Sequence, residues 1–146
     1  MPTSKVYFTD LRTQIGVSQL DKLEKLIHFH PTKTALNNHF GEPGNLAFLR
    51  PNYAKRVADV IKSLGGLPFL TDCNTLYPGR RKNALEHIES AYENGFTPYS
   101  TGCQVIIADG LKGSDDIEVP VQGGEYVKTA KIGRAIMDAD IFISLS

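Results

Sequence analysis

The chain lacks an excess of either charge: sixteen lysine and arginine residues stand against sixteen aspartate and glutamate in 146 residues, so the formal net charge is zero. A balanced chain carries no global field of the kind that attracts nucleic acid or an anionic membrane, and neither partner is expected. Long apolar runs are missing too. None approaches the roughly 20 residues needed to cross a bilayer, and Met1-Pro2-Thr3-Ser4-Lys5 leads into an apolar strand pattern without a signal segment. A cytoplasmic location is the expectation. Cysteine is scarce: Cys73 and Cys103 stand alone, far from a C-x-x-C spacing, and in a reducing compartment both are expected as free thiols. The length suits a single domain over 1–146 that buries a core without disulfide or metal staples.

What is present is an alternation of strand and helix signals. Val6-Tyr7-Phe8 predicts a short strand, and a helix begins at Ser18 with Leu20, Leu23, Leu26 and Ile27 on one face, stopped by Pro31. Thr34 to Asn38 predicts a strand despite the poor propensity of Asn37-Asn38. From Asn52 a helix carries Tyr53, Val57, Val60, Ile61 and Leu64 at helical spacing, with Gly65-Gly66 as its stop. Leu67-Pro68-Phe69-Leu70 predicts a buried strand; Leu85, Ile88, Ala91 and Tyr92 mark a third helix ending near Gly95; Cys103 to Ala108 is another strand. Between Ile117 and Lys131, Gly123-Gly124 separates Glu118-Val119-Pro120-Val121 from Tyr126-Val127, a β-hairpin pattern with Pro120 at an edge. A short helix over Ile132 to Met137 precedes a last strand, Ile141 to Leu145. The predicted class is α/β: three layers, a mainly parallel sheet with helices on both faces, and a small β-hairpin insertion. No internal repeat, low-complexity tract or linker interrupts it.

Ligands in open α/β sheets sit beyond the carboxyl ends of the strands. Three polar loops follow predicted strands and are candidates for one shared crevice. In the first, His39-Phe40-Gly41-Glu42-Pro43-Gly44-Asn45, the proline and second glycine have the chemistry of a type II turn. That turn does not require His39 and Glu42, which can serve as acid and base or as metal ligands. In the second, Asp72, Cys73, Asn74 and Thr75 are followed by Gly79-Arg80-Arg81-Lys82 before a helix, where backbone N–H groups and guanidinium groups can hold a phosphate or carboxylate. A solvated loop is the competing explanation, and neither a Walker A pattern nor G-x-G-x-x-G is present. The third, Asp109-Gly110-Leu111-Lys112-Gly113-Ser114-Asp115, admits close backbone approach by a ligand or simply turns into the hairpin. Candidate ligand-binding residues are therefore Asn45, Asp72, Asn74, Thr75, Arg80, Arg81, Asp109 and Lys112, with Arg80 or Lys112 at the rim. His28 and His30 lie two apart at a helix end and do not face one another, which suits capping better than metal binding. Cys73 has no identifiable activating base, so an incidental thiol is the better reading than a nucleophile.

Val6-Tyr7-Phe8-Thr9-Asp10, the His39 to Asn45 segment, Leu49-Arg50-Pro51, Phe69 to Tyr77 and Ile106 to Asp115 occur in one order across nearly the whole chain. With them the sequence resembles the uncharacterised iron-sulfur-centre proteins grouped as domain of unknown function family 362. The resemblance implies that longer relatives continue past the last strand into a loop with histidine and glycine, then into a ferredoxin-like module whose cysteines hold [4Fe-4S] clusters. Such a cluster takes four thiolates and this chain has two cysteines, so none is expected on this chain alone. Upstream of His39 the relatives are expected to be more apolar, with a lysine near the segment, where this chain has Asn37-Asn38.

Two functions follow. The first is a ligand-binding α/β domain of a redox-associated protein, a fragment or shortened form lacking the cluster module, with a ferredoxin-like domain or redox protein as partner. The second is an enzyme acting on a small anionic substrate, with His39 and Glu42 as acid and base and Arg80 or Arg81 as anchor. Because the last strand ends the chain, the crevice beside it is expected to be open or contacted by another chain.

Overall fold

The computed structural model describes residues 33–146, so the strand expected at Val6-Tyr7-Phe8 and the helix expected from Ser18 to Pro31 lie outside the described residues. The elements are β1 (Lys33–Asn38), α1 (Pro51–Ser63), β2 (Leu67–Asp72), α2 (Ala84–Glu93), α3 (Pro98–Thr101), β3 (Gln104–Ile107), β4 (Asp116–Pro120), β5 (Thr129–Gly133), α4 (Arg134–Met137) and β6 (Ile141–Leu145). Four strands form a parallel sheet in the order β3-β2-β1-β6, and β4 and β5 form a separate antiparallel pair. This is the mixed α/β class with a mainly parallel sheet, helices and a small hairpin that the alternation predicts. Among the described residues no helix is long and apolar enough to cross a membrane.

Register explains the core. Leu36 lies between Leu70 and Ile143, and Leu70 beside Val105, so the period-two geometry of strands puts all four on one face. That face packs on Ala54, Ala58 and Ile61 of α1 and on Ala91 of α2, with Phe40 and Phe96 filling the end of the layer. The spacing of Ala54, Ala58 and Ile61 is the i, i+4, i+7 stripe of a helix that buries one side, and the two alanines let the helix backbone approach the sheet. The Gly65-Gly66 stop operates as expected: Gly66 N–H donates to Ile61 O and Gly65 N–H to Lys62 O, both at 2.9 Å, the paired bonds of a Schellman cap. One element went unanticipated. The single turn α3 forms because Thr97 and Ser100 make a reciprocal capping box behind Pro98.

The hairpin is present, with its second arm displaced. Tyr126-Val127 was the expected return strand, but β5 starts at Thr129, and Ile117 pairs with Ile132 and Val119 with Ala130. Residues 121–128 form an eight-residue loop closed by Val121 N–H donating to Lys128 O at 2.8 Å. Gly124 packs inside this loop, where a Cβ would lie 2.1 Å from Val127 O, while Gly123 takes φ +73° in open space, so the two glycines serve the long loop and not a two-residue hairpin turn.

The chain steps from β1 to β2 to β3 in one direction and then returns across the sheet to place β6 on the far side of β1. Strand order reverses between β1 and β6. That is the topological switch point, the place beyond which an open α/β sheet leaves a crevice at its carboxyl edge.

Candidate functional site

The loop after β1 is built by its own turn and then fastened to α2. Asn45 N–H donates to Glu42 O at 3.0 Å and Gly44 has φ +84°, the type II geometry that Pro43-Gly44 predicts. Asn45 itself is used locally, its Oδ1 accepting from Ala47 N–H at 2.8 Å. Gly41 also has positive φ, and a Cβ there would meet the Phe48 ring at 2.6 Å, so no other residue fits. Ser90 Oγ donates to Gly41 O at 3.1 Å and Asn94 Nδ2 to Phe40 O at 2.8 Å.

Behind this loop lies a charged network centred on Arg81, whose side chain is 3% exposed. Its Nε donates to Glu42 Oε1 at 2.9 Å, its Nη1 to Asp72 Oδ2 at 3.0 Å, and its Nη2 to the Tyr77 hydroxyl. Arg80 N–H adds a bond to Glu42 Oε2 at 3.3 Å. Desolvation pulls the Glu42 carboxyl upward, but the Arg81 hydrogen bond and charge and the Arg80 N–H outweigh it and hold the group below its ordinary 4.5. Burial works against the Arg81 charge, and its hydrogen bond to Glu42 with the nearby negative groups more than restores it. Asp72 Oδ1 accepts from Cys73 N–H at 2.9 Å and its Oδ2 from Phe40 N–H at 3.4 Å. Asp72 is thus the last residue of β2, tying the β1 loop to the β2 loop.

His87, on α2, is the residue that sequence reasoning missed in this network. It is fully buried, edge-on to Phe40 with ring centroids 5.7 Å apart, and its Nε2 lies 3.4 Å from Asp72 Oδ2. Neither ring nitrogen has a hydrogen-bond partner among the described residues. The signal was present: Ala84, His87, Ile88 and Ala91 form one helical stripe, with a histidine at a core position.

Asp109 closes the third loop onto the second. Its carboxylate accepts Asn74 N–H with both oxygens at 3.0 Å and Asn74 Nδ2 at 2.9 Å, while Asn74 Nδ2 also donates to Gly110 O at 2.8 Å. Cys73 sits between Asp72 and Asp109; burial first, then those two charges, push its thiol up to about 11, which disfavours the thiolate a nucleophile needs. Cys103 is raised by burial as well. Cys73 follows the end of β2, whereas Cys103 precedes β3, and the register of Asp72 with Ile107 puts them about 16 Å apart along the strands.

The anion-holding donors expected before α2 have other partners. Ala84 N–H donates to Leu111 O, Leu85 and Glu86 N–H to the Asn83 side chain, and His87 N–H to Asn83 O. The Arg80 guanidinium reaches Glu93 at 2.5 Å and Glu89 at 3.4 Å on α2. Thr75 N–H donates to Arg81 O at 2.9 Å and its hydroxyl to Tyr77 O at 3.3 Å; Lys112 is exposed. Glu42, Asp72 and Arg81 are in direct contact, as are Asn74 and Asp109. His39 is not in that network: it is exposed, and Glu42 faces the two arginines. Among the described residues no group of three His, Cys, Asp or Glu side chains is arranged to hold a metal ion.

His39 instead lines a cavity of about 250 Å³ at the switch point, together with Asn38, Ala47, Phe48, Leu49, Leu145 and Ser146. Asn38 pairs with Leu145 across the β1/β6 ladder. It is fully buried, its Nδ2 donates to His39 O at 3.2 Å, and its Oδ1 has no partner among the described residues. The His39 ring is oriented by its Nδ1, which accepts Gly41 N–H at 3.2 Å. Asn38 is the second residue that sequence reasoning missed. The two asparagines that weakened the strand prediction include this buried residue at the end of β1.

Comparisons with curated proteins and with solved structures give no match. A family model does match, from residue 34 at the start of β1 to residue 146, and so spans all three loops, the Arg81 network and the cavity; the family's description is Domain of unknown function (DUF362). The chain belongs to the DUF362 family.

Proposed function

We propose that the chain is a ligand-binding α/β domain of a redox-associated protein, and that its binding crevice is the cavity between the ends of β1 and β6. One observation carries the reading: a cavity of about 250 Å³ lies at the strand-order switch, lined by His39, Phe48, Leu49 and Leu145. The Arg81 network supports this crevice as scaffold. It fixes the β1 loop to β2 and α2, and the Gly41 to Phe48 contact carries that order to the cavity wall.

The enzyme reading, with His39 and Glu42 as acid and base, has less support, because Glu42 is ionised and held by Arg81 and Arg80. The redox association rests on the motif resemblance. A [4Fe-4S] cluster does not fit this chain by itself: it needs four thiolates, and the two cysteines are at opposite ends of neighbouring strands.

A nuclear magnetic resonance screen with single-ring neutral and anionic fragments tests the crevice. Shifted amides are expected at His39, Ala47, Phe48, Leu49 and Leu145; hits confined to residues 74–82 and 109–115 would overturn it. Anaerobic reconstitution with iron and sulfide is expected to leave the monomer without a stoichiometric cluster, and a full cluster on the monomer would defeat that part.

A further inference from the structure

We infer that Asn94-Gly95 is a latent deamidation site, closed in the folded domain, and that its conversion to aspartate or isoaspartate unfastens α2 from the β1 loop.

Two separate structural demands bring this dipeptide together. Asn94 caps the C-terminus of α2, and its Nδ2 donates to Phe40 O at 2.8 Å and to Gly41 O at 3.1 Å. A donor is required there, because both atoms it meets are carbonyl oxygens. Gly95 N–H donates to Tyr92 O at 3.0 Å and Phe96 N–H to Ala91 O at 2.9 Å, the paired bonds of a Schellman cap, with Gly95 at φ +88°. That φ favours glycine. The donor and the helix stop therefore set asparagine directly before glycine, the one such step in the sequence.

The reaction at this step needs water alone. The Gly95 nitrogen attacks Asn94 Cγ; the new N–Cγ bond forms as the Cγ–Nδ2 bond breaks, and ammonia leaves with the Gly95 amide proton. Water then opens the cyclic imide at either carbonyl, giving aspartate or, with Cβ drawn into the main chain, isoaspartate. Glycine has no side chain to shield the attacking nitrogen. The folded chain opposes closure in two ways. The ring needs the Gly95 nitrogen to eclipse Asn94 Cβ, whereas ψ of 5° at Asn94 makes it eclipse the Asn94 nitrogen, and the Gly95 N–H is already bound to Tyr92 O. Reaction thus waits on local opening of the α2 end.

The product cannot hold the loop. A carboxylate at position 94 sets acceptors against Phe40 O and Gly41 O, which leaves the Ser90 hydroxyl, 3.1 Å from Gly41 O, as the remaining donor from α2 to those carbonyls. Isoaspartate lengthens the main chain within the cap that seats Phe96, a fully buried ring whose centroid lies 5.2 Å from that of Phe40 and 5.9 Å from that of Phe48. Phe48 lines the β1/β6 cavity, so a change at the far end of α2 reaches that wall through two aromatic contacts.

Ageing the chain in native buffer and in guanidinium chloride at one pH and temperature, then digesting it for mass spectrometry, tests the site. The Asn94 peptide is expected to gain the amide-to-acid mass at least about tenfold faster in denaturant, with isoaspartate among the products. Equal rates would overturn the folded-state protection, and an unmodified peptide in denaturant would overturn the site itself. Asn94→Asp installs one product directly. It is expected to shift the unfolding equilibrium about tenfold toward the unfolded chain and to move the Phe40, Gly41 and Phe48 amides in nuclear magnetic resonance spectra; wild-type stability with unmoved amides would overturn the unfastening.

Discussion

The carboxyl end of the sheet has two halves that differ in how their polar groups are employed. On the β2/β3 side, Arg81, Glu42, Asp72, Asn74 and Asp109 hold one another in charge-assisted hydrogen bonds, and the α2 N-terminus is capped from within the chain. On the β1/β6 side, Asn38 is buried without a partner for its oxygen beside an open space. The half richest in charged sequence motifs has its carboxylates and its buried guanidinium paired with one another, although the His87 ring nitrogens within it are left without a hydrogen bond. Charge density in a loop thus marks a scaffold as readily as a site, and the distinction lies in whether the charged groups are already spent on one another.

The strongest way to break the comparison is to remove Arg81. Arg81→Ala leaves Glu42 and Asp72 facing one another without their cation, and loss of one partner from a largely buried ionic group costs about 3 kcal/mol; urea unfolding should register that loss. Stability little changed would mean that the network is not the scaffold. A smaller effect comes from acid. Because the folded Glu42 carboxyl titrates below its ordinary 4.5, its contribution is fully present above pH 4.5 and is lost as pH falls through the lower folded value. The wild-type chain should therefore lose stability relative to Glu42→Gln over that interval, and parallel curves would refute the pairing. At the alkaline end the sign reverses. The Cys73 thiol titrates at about 11 folded against 9.0 ordinarily, so the folded state keeps its proton longer and stability should fall between those values, a decline that Cys73→Ser removes. The smallest effect belongs to the open half. His39→Ala should change unfolding free energy by no more than about 0.5 kcal/mol, as for an exposed residue, while altering the cavity amides in fragment titrations; a large destabilisation would move His39 into the scaffold.

Much of the framework was legible because it depends on local rules. The Pro43-Gly44 turn, the Gly65-Gly66 stop and the α1 stripe each follow from backbone preference or helical spacing, which act over a few residues. The hairpin return was misplaced because Gly123-Gly124 is a turn signal in either a two-residue or an eight-residue loop, and only packing inside the loop chooses. Glu42 and Arg81, which pair with each other, lie 39 residues apart, and no spacing rule reports on such a pairing. His87 looked like part of an ordinary helix, and Asn38 like a defect in a strand. Both become informative only when their burial and unmatched atoms are known.

The β1/β6 ladder has a further consequence for how the domain comes together. Lys33 and Asp140, which begin it, are separated by 107 positions in the chain, whereas β1, α1, β2 and α2 contact their sequence neighbours. Closing so long a loop carries a larger entropic cost than adjacent elements meet, which the β1/β6 pairing has to offset. Among the described residues β6 is also an edge strand, held in the sheet by β1 alone. Loss of that one ladder would take Leu145 and Ser146 out of the cavity wall while leaving the β1-to-β3 pairings in place, so the crevice depends on a strand held from one side only.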